Sequence, residues 1–543
     1  MKASDLFVAS LEAAGVQYVF GVPGEENLAF IESIRTSSIK LITTRHEQTA
    51  VFMAATVGRL TGRVGVALST LGPGATNLVT GVAYAQLGGM PLMVITGQKP
   101  IKKSKQGKFQ IIDVVGMMKP ITKFAETIVS ADRIPTTVHQ AINKAETERP
   151  GATHIEFPED IAEEQSDALP IQWSKVRRPI PDTKSIENAV TAISVAKLPV
   201  IAIAAGSNRK LIRKQLQILI EKTGIPFVTT QMGKGVVDEN HPLYLGTTAL
   251  SSGDFMHSAL DQSDCIIMLG HDITEKPPLI GRDDQTIIHV NFYPADFDDV
   301  YMPQLQVIGD ISNALWEMSE RLQKQDHWDF SGLLNLRQRL LTDIAEKTED
   351  SSFPIKPQRF VHDLRKVMPK DGILSLDNGM YKLWIARNYI AYEQNTVLLD
   401  NALATMGAGL GAGMAAKMLN PDKKVVVVAG DGGFMMSMSD LETAKRLGRD
   451  LVIVIVNDNG YGMIKWKQNG MDLPNFGLEF TNPDFVKLAD SYGIKGTHVD
   501  SAEGFAIALQ EALDEGGLQI IEIPIDYSEN STYFGDNLKN RSC

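Results

Sequence analysis

The chain has 543 residues, of which 43% are hydrophobic and 22% are charged, as is usual for a globular protein. This length favours about three domains. The formal net charge of −12 argues against nucleic acid or an anionic membrane as a partner. Two cysteines, Cys265 and Cys543, give no disulfide framework. The chain shows neither a signal-peptide core nor a membrane-length apolar stretch, so we expect a cytoplasmic protein.

Short apolar runs in the first part of the chain end in glycine-rich or polar turns. They predict strands over residues 18–20, 40–43, 65–69 and 91–96. Amphipathic helical sequence separates these runs, which is typical of a doubly wound parallel sheet. Prolines and mixed charge then indicate a linker over residues 160–181. We therefore predict a first domain over residues 1–165.

The same alternation continues through the rest of the chain. Further strands are predicted over residues 198–204, 226–230, 265–269, 286–290, 373–376, 424–429 and 451–456. Charged, helix-forming sequence over residues 312–350 leads to a second boundary near Pro354. The predicted fold class is α/β, with three doubly wound parallel-sheet domains at residues 1–165, 182–333 and 354–530.

Two of these predicted strands end in acidic, glycine-rich turns. The first breaks into Gly430-Asp431-Gly432-Gly433 and the second into Asn457-Asp458-Asn459-Gly460. Both strand ends of a right-handed strand–helix–strand unit lie at one edge of the sheet, so Asp431 and Asp458 should reach one crevice. Two carboxylates beside glycines suit Mg²⁺ that holds a diphosphate. An ordinary buried strand pair is the alternative, which the doubled pattern disfavours.

A series of motifs runs along nearly the whole chain: FGVPG (20–24), RHEQ (45–48), FMAATVGRLTG (52–62), LGPGATN (71–77), PLMVITGQ (91–98), ATMGAGLGAG (404–413), GDGGF (430–434) and NDNGYGM (457–463). In content and order they resemble those of the thiamine-diphosphate enzymes of the acetolactate synthase family. The resemblance implies an N-terminal pyrimidine-binding domain, a central domain and a C-terminal diphosphate-binding domain. It also implies thiamine diphosphate and Mg²⁺ as cofactors.

The resemblance assigns roles to residues within the motifs. Asp431, Asp458 and the backbone carbonyl of Gly460 would hold Mg²⁺ on the diphosphate. Other cofactor contacts are implied at Pro23, Gly24, Pro73, Asn77, Gly379, Met380, Gly430, Gly432, Gly433, Tyr461 and Met463.

Glu47 has the central chemical role that the resemblance implies. Its carboxyl would hydrogen-bond the aminopyrimidine of the cofactor of a partner subunit. A homodimer with shared active sites is then the minimal active unit, and a homotetramer of paired dimers is compatible with it. Standing alone, Glu47 would be interpreted as a helix-starting residue that favours the helix dipole.

Two further residues are implied at the reacting groups. Met406 falls where the family places a bulky apolar residue beneath the cofactor, although a lone methionine is by default a core residue. Gln110, which follows Phe109, resembles part of the substrate pocket. Nearby lysines that could attract a carboxylate, or form only a solvated basic loop, are Lys103, Lys105 and Lys108.

The implied activity condenses two pyruvate molecules to 2-acetolactate with loss of CO2, through an enamine formed on thiamine diphosphate. Other 2-oxo acids are further candidate substrates. Another thiamine-diphosphate-dependent 2-oxo acid decarboxylase or carboligase is the alternative. The glycines of residues 407–413 do not form the Gly-x-Gly-x-x-Gly fingerprint, which disfavours a nicotinamide dehydrogenase. An inactive scaffold is disfavoured because Glu47, Asp431 and Asp458 are all present.

Two segments depart from the family pattern. Lys467 stands where biosynthetic relatives carry a tryptophan that favours 2-oxobutyrate, so the acceptor and the pathway (branched-chain amino acid biosynthesis or acetoin formation) stay open. His271-Asp272-Ile273-Thr274 stands where an arginine- and aspartate-rich loop is usual in flavin-binding relatives, and PIDYSEN (524–530) resembles the flavin-free catabolic members. FAD is therefore left open and is not expected to be obligatory.

Overall fold

Three parallel sheets of six strands each organise the computed structural model, which describes residues 1–102, 107–174, 178–208, 210–248, 254–275, 284–297 and 301–537. Helices flank the sheets, and the predicted α/β class with three doubly wound parallel sheets is confirmed. The domain boundaries stay a prediction. In the described ranges no helix combines the length and the hydropathy needed to cross a membrane.

The first sheet has the strand order β2-β1-β3-β4-β6-β5. Its strands are β1 (Tyr18–Gly21), β2 (Lys40–Thr43), β3 (Gly65–Ser69), β4 (Leu92–Gln98), β5 (Phe124–Thr127) and β6 (Ala152–Pro158). The helices in this part of the chain are α1 (Ala3–Ala13), α2 (Leu28–Arg35), α3 (Glu47–Thr61), α4 (Pro73–Asn77), α5 (Val79–Leu87), α6 (Val114–Met118), α7 (Ile134–Glu146) and α8 (Glu159–Ala162).

The second sheet has the strand order β12-β11-β10-β7-β8-β9. Its strands are β7 (Pro199–Ile203), β8 (Phe227–Thr230), β9 (Tyr244–Thr248), β10 (Cys265–Leu269), β11 (Thr286–Asn291) and β12 (Leu305–Ile308). Its helices are α9 (Thr183–Val195), α10 (Lys210–Thr223), α11 (Phe255–Gln262), α12 (Ile311–Arg321) and α13 (Ser331–Ala345). The strand order reverses between β7 and β10, which is where open α/β sheets bind ligands.

The third sheet has the strand order β14-β13-β15-β16-β18-β17. Its strands are β13 (Ile373–Leu376), β14 (Val397–Leu398), β15 (Val425–Gly430), β16 (Leu451–Asn457), β17 (Lys495–His498) and β18 (Leu518–Pro524). The helices are α14 (Pro357–Val367), α15 (Met380–Asn388), α16 (Ala408–Leu419), α17 (Asp431–Met435), α18 (Leu441–Leu447), α19 (Gly462–Gly470), α20 (Phe485–Ser491) and α21 (Ala502–Glu515).

The chain divides into two compact units that are not continuous in sequence. The first consists of Met1–Arg177, Ala402–Asp422 and Phe434–Arg449, and the second of Arg178–Asn401, Lys423–Gly433 and Asp450–Cys543. Inside the first unit α16 packs across α3, where an added Cβ at Gly411 would lie 3.1 Å from the Cβ of Phe52. The backbone N–H of Arg45 donates to Oδ1 of Asp440 at 2.7 Å. Distant segments therefore complete this unit.

Two glycines set how closely α3 lies on the first sheet. An added Cβ at Gly58 would lie 2.1 Å from the carbonyl oxygen of Pro91, and one at Gly65 would lie 1.9 Å from that of Ala54. No side chain fits at either position, because backbone atoms occupy the space. This close approach fixes the height of α3 above the sheet and with it the position of Glu47, its first residue.

A buried ion network ties α15 to α11 and α13 within the second unit. Arg387 donates through Nε to Asp254 at 2.9 Å and through Nη2 to Asp343 at 2.7 Å, and all three side chains are 2% exposed or less. Nη1 also lies 3.0 Å from the hydroxyl of Tyr533, which anchors the C-terminal π-helical turn Thr532–Asn537. Because the buried guanidinium bonds to both carboxylates, neither carboxylate is buried without a positively charged partner.

We expect Arg387→Met to destabilise the protein by about 3–5 kcal/mol, because it leaves two buried carboxylates without their cation. Urea unfolding followed by circular dichroism measures the effect. As a matched control, Arg321→Met removes a partly exposed ion pair with Glu317 and should shift the unfolding midpoint far less. Equal shifts for the two variants would contradict the network's role.

Candidate active site

Two carboxylates lie at the carboxyl edge of the third sheet. Asp431 follows β15 and Asp458 follows β16, and the register of these parallel strands pairs Gly430 with Val456. Asp431 is 1% exposed. The predicted convergence is therefore present, because adjacent parallel strands deliver both side chains to one edge.

The two carboxylates influence each other's protonation. Burial, followed by the negative charge of Asp431, raises the pKa of Asp458 from its ordinary value to about 7. Burial also raises the pKa of Asp431, while hydrogen bonds from Asn482 and from the backbone N–H groups of Gly432 and Gly460 oppose that rise. Two like charges held close in a partly dry environment make such a site receptive to a cation.

Glycines let the backbone and aromatic side chains come close to this edge. An added Cβ at Gly462 would lie 2.3 Å from Oδ2 of Asp458, and one at Gly430 would lie 3.3 Å from the Tyr381 ring. At Gly433 it would lie 3.2 Å from the carboxylate carbon of Asp377. A larger residue at any of these positions would press on the neighbouring side chains, and glycine leaves bare backbone beside the carboxylates.

A third loop reaches the same edge after β13. Gly379 caps the N-terminus of α15, whose first residue, Met380, is buried with 2% of its surface exposed. The diphosphate contact predicted at Met380 would therefore rest on its backbone N–H, because helix N-termini bind anions through such groups.

Sequence patterns did not predict the buried Lys382, which lies in the first turn of α15. Its Nζ donates to the side chain of Asn378 at 2.6 Å, to the carbonyl oxygen of Asp400 at 3.1 Å and to Asn401 at 3.3 Å. Burial lowers its pKa to about 8, although the charges of Asp400 and Asp377 oppose the change. Lys382 thus holds the loop before Gly379 in place.

Tyr461 and Met463 belong to the turn and first residues around α19. The Tyr461 ring packs edge-on against Phe480, with centroids 5.0 Å apart, and Gly460 forms an isolated bridge with Glu479. The segment before α20 therefore folds back onto the Asp458 loop. Both predicted contact residues are partly buried there.

The first unit holds a separate group of predicted site residues around Glu47. Glu47 begins α3 and is 9% exposed, and its Oε2 accepts a hydrogen bond from Nδ2 of Asn77 at 2.9 Å. An added Cβ at Gly74 would lie 3.2 Å from Oε1. The sequence predicted both Glu47 and Asn77, and the structure pairs them directly.

The turn after β1 is locked against the turn after β3. An added Cβ at Gly24 would lie 2.4 Å from the Cβ of Thr70. Beside it, Glu26 forms a buried ion pair with Lys99 at 2.7 Å. Burial opposes ionisation of Glu26, yet its bonds to Lys99 and Thr70 leave its pKa lowered overall. Pro23, one position before Gly24, is exposed.

Gln110 and Met406 lie at other places in the first unit. Gln110 is exposed with φ +59°, and its carbonyl oxygen would lie 2.7 Å from a Cβ added at Gly72, immediately before Pro73. Met406 is partly buried and directly precedes Gly407, the residue that caps α16. Lys103 and Lys105 lie outside the described residues, and Lys108 is exposed.

The groups around Asp431 are of the chemical type that binds a magnesium diphosphate. Among the residues that the structure describes, no group of three or more His, Cys, Asp or Glu side chains is placed to hold a metal. An ion here would take two carboxylates and complete its shell with carbonyl, amide, phosphate or water oxygens, as Mg²⁺ commonly does. Burial and the charge of Asp431 raise the pKa of Asp458 although the positive charge of Lys465 opposes the rise, so a bound cation would offset the remaining repulsion.

Three family models match successive parts of the chain. The thiamine pyrophosphate enzyme N-terminal TPP binding domain matches residues 1–117, the central domain residues 186–318, and the C-terminal TPP binding domain residues 377–523. Thiamine pyrophosphate is thiamine diphosphate under its other name. The matches define a thiamine-diphosphate-dependent enzyme built from all three domains of this class.

Sequence similarity to individual proteins identifies the family within this class of enzymes. The catabolic acetolactate synthase of Raoultella terrigena is 32% identical, over 98% of this chain and 96% of the relative. The acetolactate synthase of Bacillus subtilis is 31% identical, over 99% of this chain and 95% of the relative. A probable acetolactate synthase large subunit of Methanocaldococcus jannaschii is 33% identical, over 97% of this chain and 93% of the relative. The chain belongs to the thiamine-diphosphate-dependent acetolactate synthase family and is an enzyme of the carboligase type.

Metal-free Asp458→Asn should be more thermostable than the metal-free wild type at about pH 8, because it removes one of two buried like charges. Since the folded pKa of Asp458 is about 7 and its ordinary value is 3.8, the folded wild type binds more protons than the unfolded chain between these values. Wild-type stability therefore falls as the pH rises through this window, and the variant lacks that decline.

Melting temperatures in EDTA, measured between about pH 5 and about pH 8, test this expectation. The exposed Asp472→Asn provides the matched control, for which no widening difference from the wild type is expected. A difference between Asp458→Asn and wild type that does not change with pH would contradict the electrostatic interpretation.

Proposed function

We propose that the protein is an acetolactate synthase that converts two pyruvate anions and one proton into 2-acetolactate and CO2. The full-length likeness to acetolactate synthases is the observation that carries this proposal. One carbon–carbon bond breaks as CO2 leaves, and another forms between the remaining two-carbon unit and the keto carbon of the second pyruvate. The proton ends on the new tertiary alcohol.

The proposed cofactor half of the site is the edge of the third sheet. Asp431, Asp458 and the carbonyl of Gly460 are the proposed ligands of Mg²⁺, whose charge would offset the two carboxylates. The backbone N–H groups of residues 379–380 and 432–433 are proposed to bind the diphosphate. Proposed contacts with the rest of the cofactor are Gly430, Tyr461, Met463 and Met406.

Glu47 is the proposed proton-holding group of the other half. Its low exposure and its hydrogen bond with Asn77 fix the carboxyl in one orientation, which suits proton sharing with a ring nitrogen. Pro23, Gly24, Pro73 and Asn77 are further proposed cofactor contacts. When bound, thiamine diphosphate supplies the electron sink for loss of CO2.

We propose a homodimer as the active unit, in which Glu47 of one copy serves the cofactor half of the other, with a homotetramer as a larger assembly. Gln110 is the proposed contact for the oxo acid. The exposed Lys467 stands in place of the tryptophan that favours 2-oxobutyrate in biosynthetic relatives, so the acceptor substrate stays open. A carboligase or decarboxylase for other 2-oxo acids is therefore the second candidate.

FAD is proposed not to be required. At the reversal point of the second sheet, the carboxylate of Glu275 accepts the backbone N–H of Ala205 at 2.7 Å. The N–H of Gly206 also donates to the carbonyl oxygen of Gly270 at 2.9 Å, which joins the turns after β7 and β10. An acidic side chain and a closed pair of turns disfavour a dinucleotide's phosphates at this edge.

Product analysis tests the proposed activity. With pyruvate, thiamine diphosphate and Mg²⁺, the purified protein is expected to form CO2 and 2-acetolactate in equal amounts, read as acetoin after acid treatment. Acetaldehyde as the sole product would contradict it. Parallel reactions with 2-oxobutyrate identify the acceptor, and added FAD is expected to leave the rate unchanged.

Glu47→Gln should lower turnover at least about 100-fold while cofactor affinity changes little, because the amide cannot share a proton with the pyrimidine nitrogen. Steady-state kinetics give the first quantity, and quenching of tryptophan fluorescence by thiamine diphosphate gives the second. The exposed Glu25→Gln serves as control. Wild-type-like turnover in Glu47→Gln would reject the proposed role.

A further inference from the structure

Asn482 joins the two loops that carry the metal-site carboxylates. It lies in the segment between Glu479, which bridges to Gly460, and the start of α20. Its Nδ2 donates to Oδ2 of Asp431 at 2.8 Å, to Oδ1 of Asn459 at 3.1 Å and to Oδ1 of Asn457 at 3.3 Å. Two N–H bonds are thus shared among three acceptors: Asp431 directly after β15, Asn457 at the end of β16 and Asn459 just beyond it.

The orientation of this amide follows from the chemistry of its neighbours. The carboxylate of Glu522 can only accept, so the group of Asn457 that lies 2.7 Å from it must be its NH2. The oxygen of Asn457 then faces the backbone N–H of Asn459 and the side chain of Asn482. Since that oxygen and the Asp431 carboxylate both accept, Asn482 must present its own NH2 to them.

This orientation leaves the side-chain oxygen of Asn482 without a partner in the part of the chain that the structure describes. Oδ1 is buried and accepts no hydrogen bond from any described residue. A buried amide oxygen without a donor costs free energy, so the arrangement is complete only when another group reaches it. Mg²⁺ keeps several bound water molecules in most protein sites, and each such water is a strong donor.

We infer that Asn482 is a positioning residue of the metal site, whose NH2 holds the Asp431 and Asp458 loops together and whose oxygen accepts a hydrogen bond from water bound to the ion. The inference rests on the proposed magnesium–diphosphate site. It assigns to the segment before α20 a part in metal binding that no sequence motif indicated.

The test measures cofactor binding in the absence of substrate. Quenching of tryptophan fluorescence is followed as Mg²⁺ is titrated into wild type and Asn482→Ala with thiamine diphosphate present. We expect the Mg²⁺ concentration at half-saturation to rise about 10-fold or more, as for other residues that orient metal ligands. At saturating Mg²⁺, kcat should return close to the wild-type value, which separates positioning from a direct chemical role.

Asn482→Asp separates the two halves of the inference. This variant keeps an oxygen acceptor but loses the NH2 that holds Asp431. Half-saturation by Mg²⁺ within about threefold of wild type supports the role of the oxygen, since the metal then compensates the added charge. A loss as large as that of Asn482→Ala would overturn that role.

Two controls keep the result interpretable. The exposed Asn475→Ala, in the same connecting segment, should bind Mg²⁺ as the wild type does. Metal-free melting temperatures show whether each variant folds. Unchanged Mg²⁺ affinity in folded Asn482→Ala would overturn the inference alone, whereas a wild type that binds no Mg²⁺ with thiamine diphosphate would overturn the proposed site.

Discussion

Burial of two carboxylates at the ends of adjacent parallel strands is the constraint on which the candidate site depends. Asp431 and Asp458 repel each other where little water can screen them, and burial together with this repulsion raises the pKa of Asp458. Such a pair persists only where donors or a cation compensate it. At Asp431 the amide of Asn482 and the backbone N–H groups of Gly432 and Gly460 serve that compensation.

Short apolar runs made much of the fold predictable from sequence. Strands β2, β3, β10 and β13 have the predicted bounds, because each is a short stretch with an apolar centre and a clear break after it. The edge strands β14 and β17 were not predicted: β14 has only two residues, and β17 (Lys495–His498) contains polar and glycine residues. Their strand character comes from pairing with neighbours, which one sequence does not display.

The candidate site was predictable where chemistry and chain order coincide. Asp431 and Asp458 were predicted because one strand–helix–strand unit brings them together. Glu47 and Asn77 came from motifs, but their direct hydrogen bond depends on how α3 and α4 pack. Asn482 and Lys382 were missed because an isolated Asn or Lys is usually a surface residue. Only tertiary folding gives them buried partners.

The discontinuous first unit has a consequence for synthesis of the chain. The face of α3 that Gly411 covers, and the contact between Arg45 and Asp440, need segments hundreds of residues later. While the ribosome is still translating the middle of the chain, the apolar face of α3 in the emerged N-terminal part therefore stays exposed to solvent. Such a surface is a natural binding site for a chaperone, so the order of translation itself delays completion of the Glu47 region.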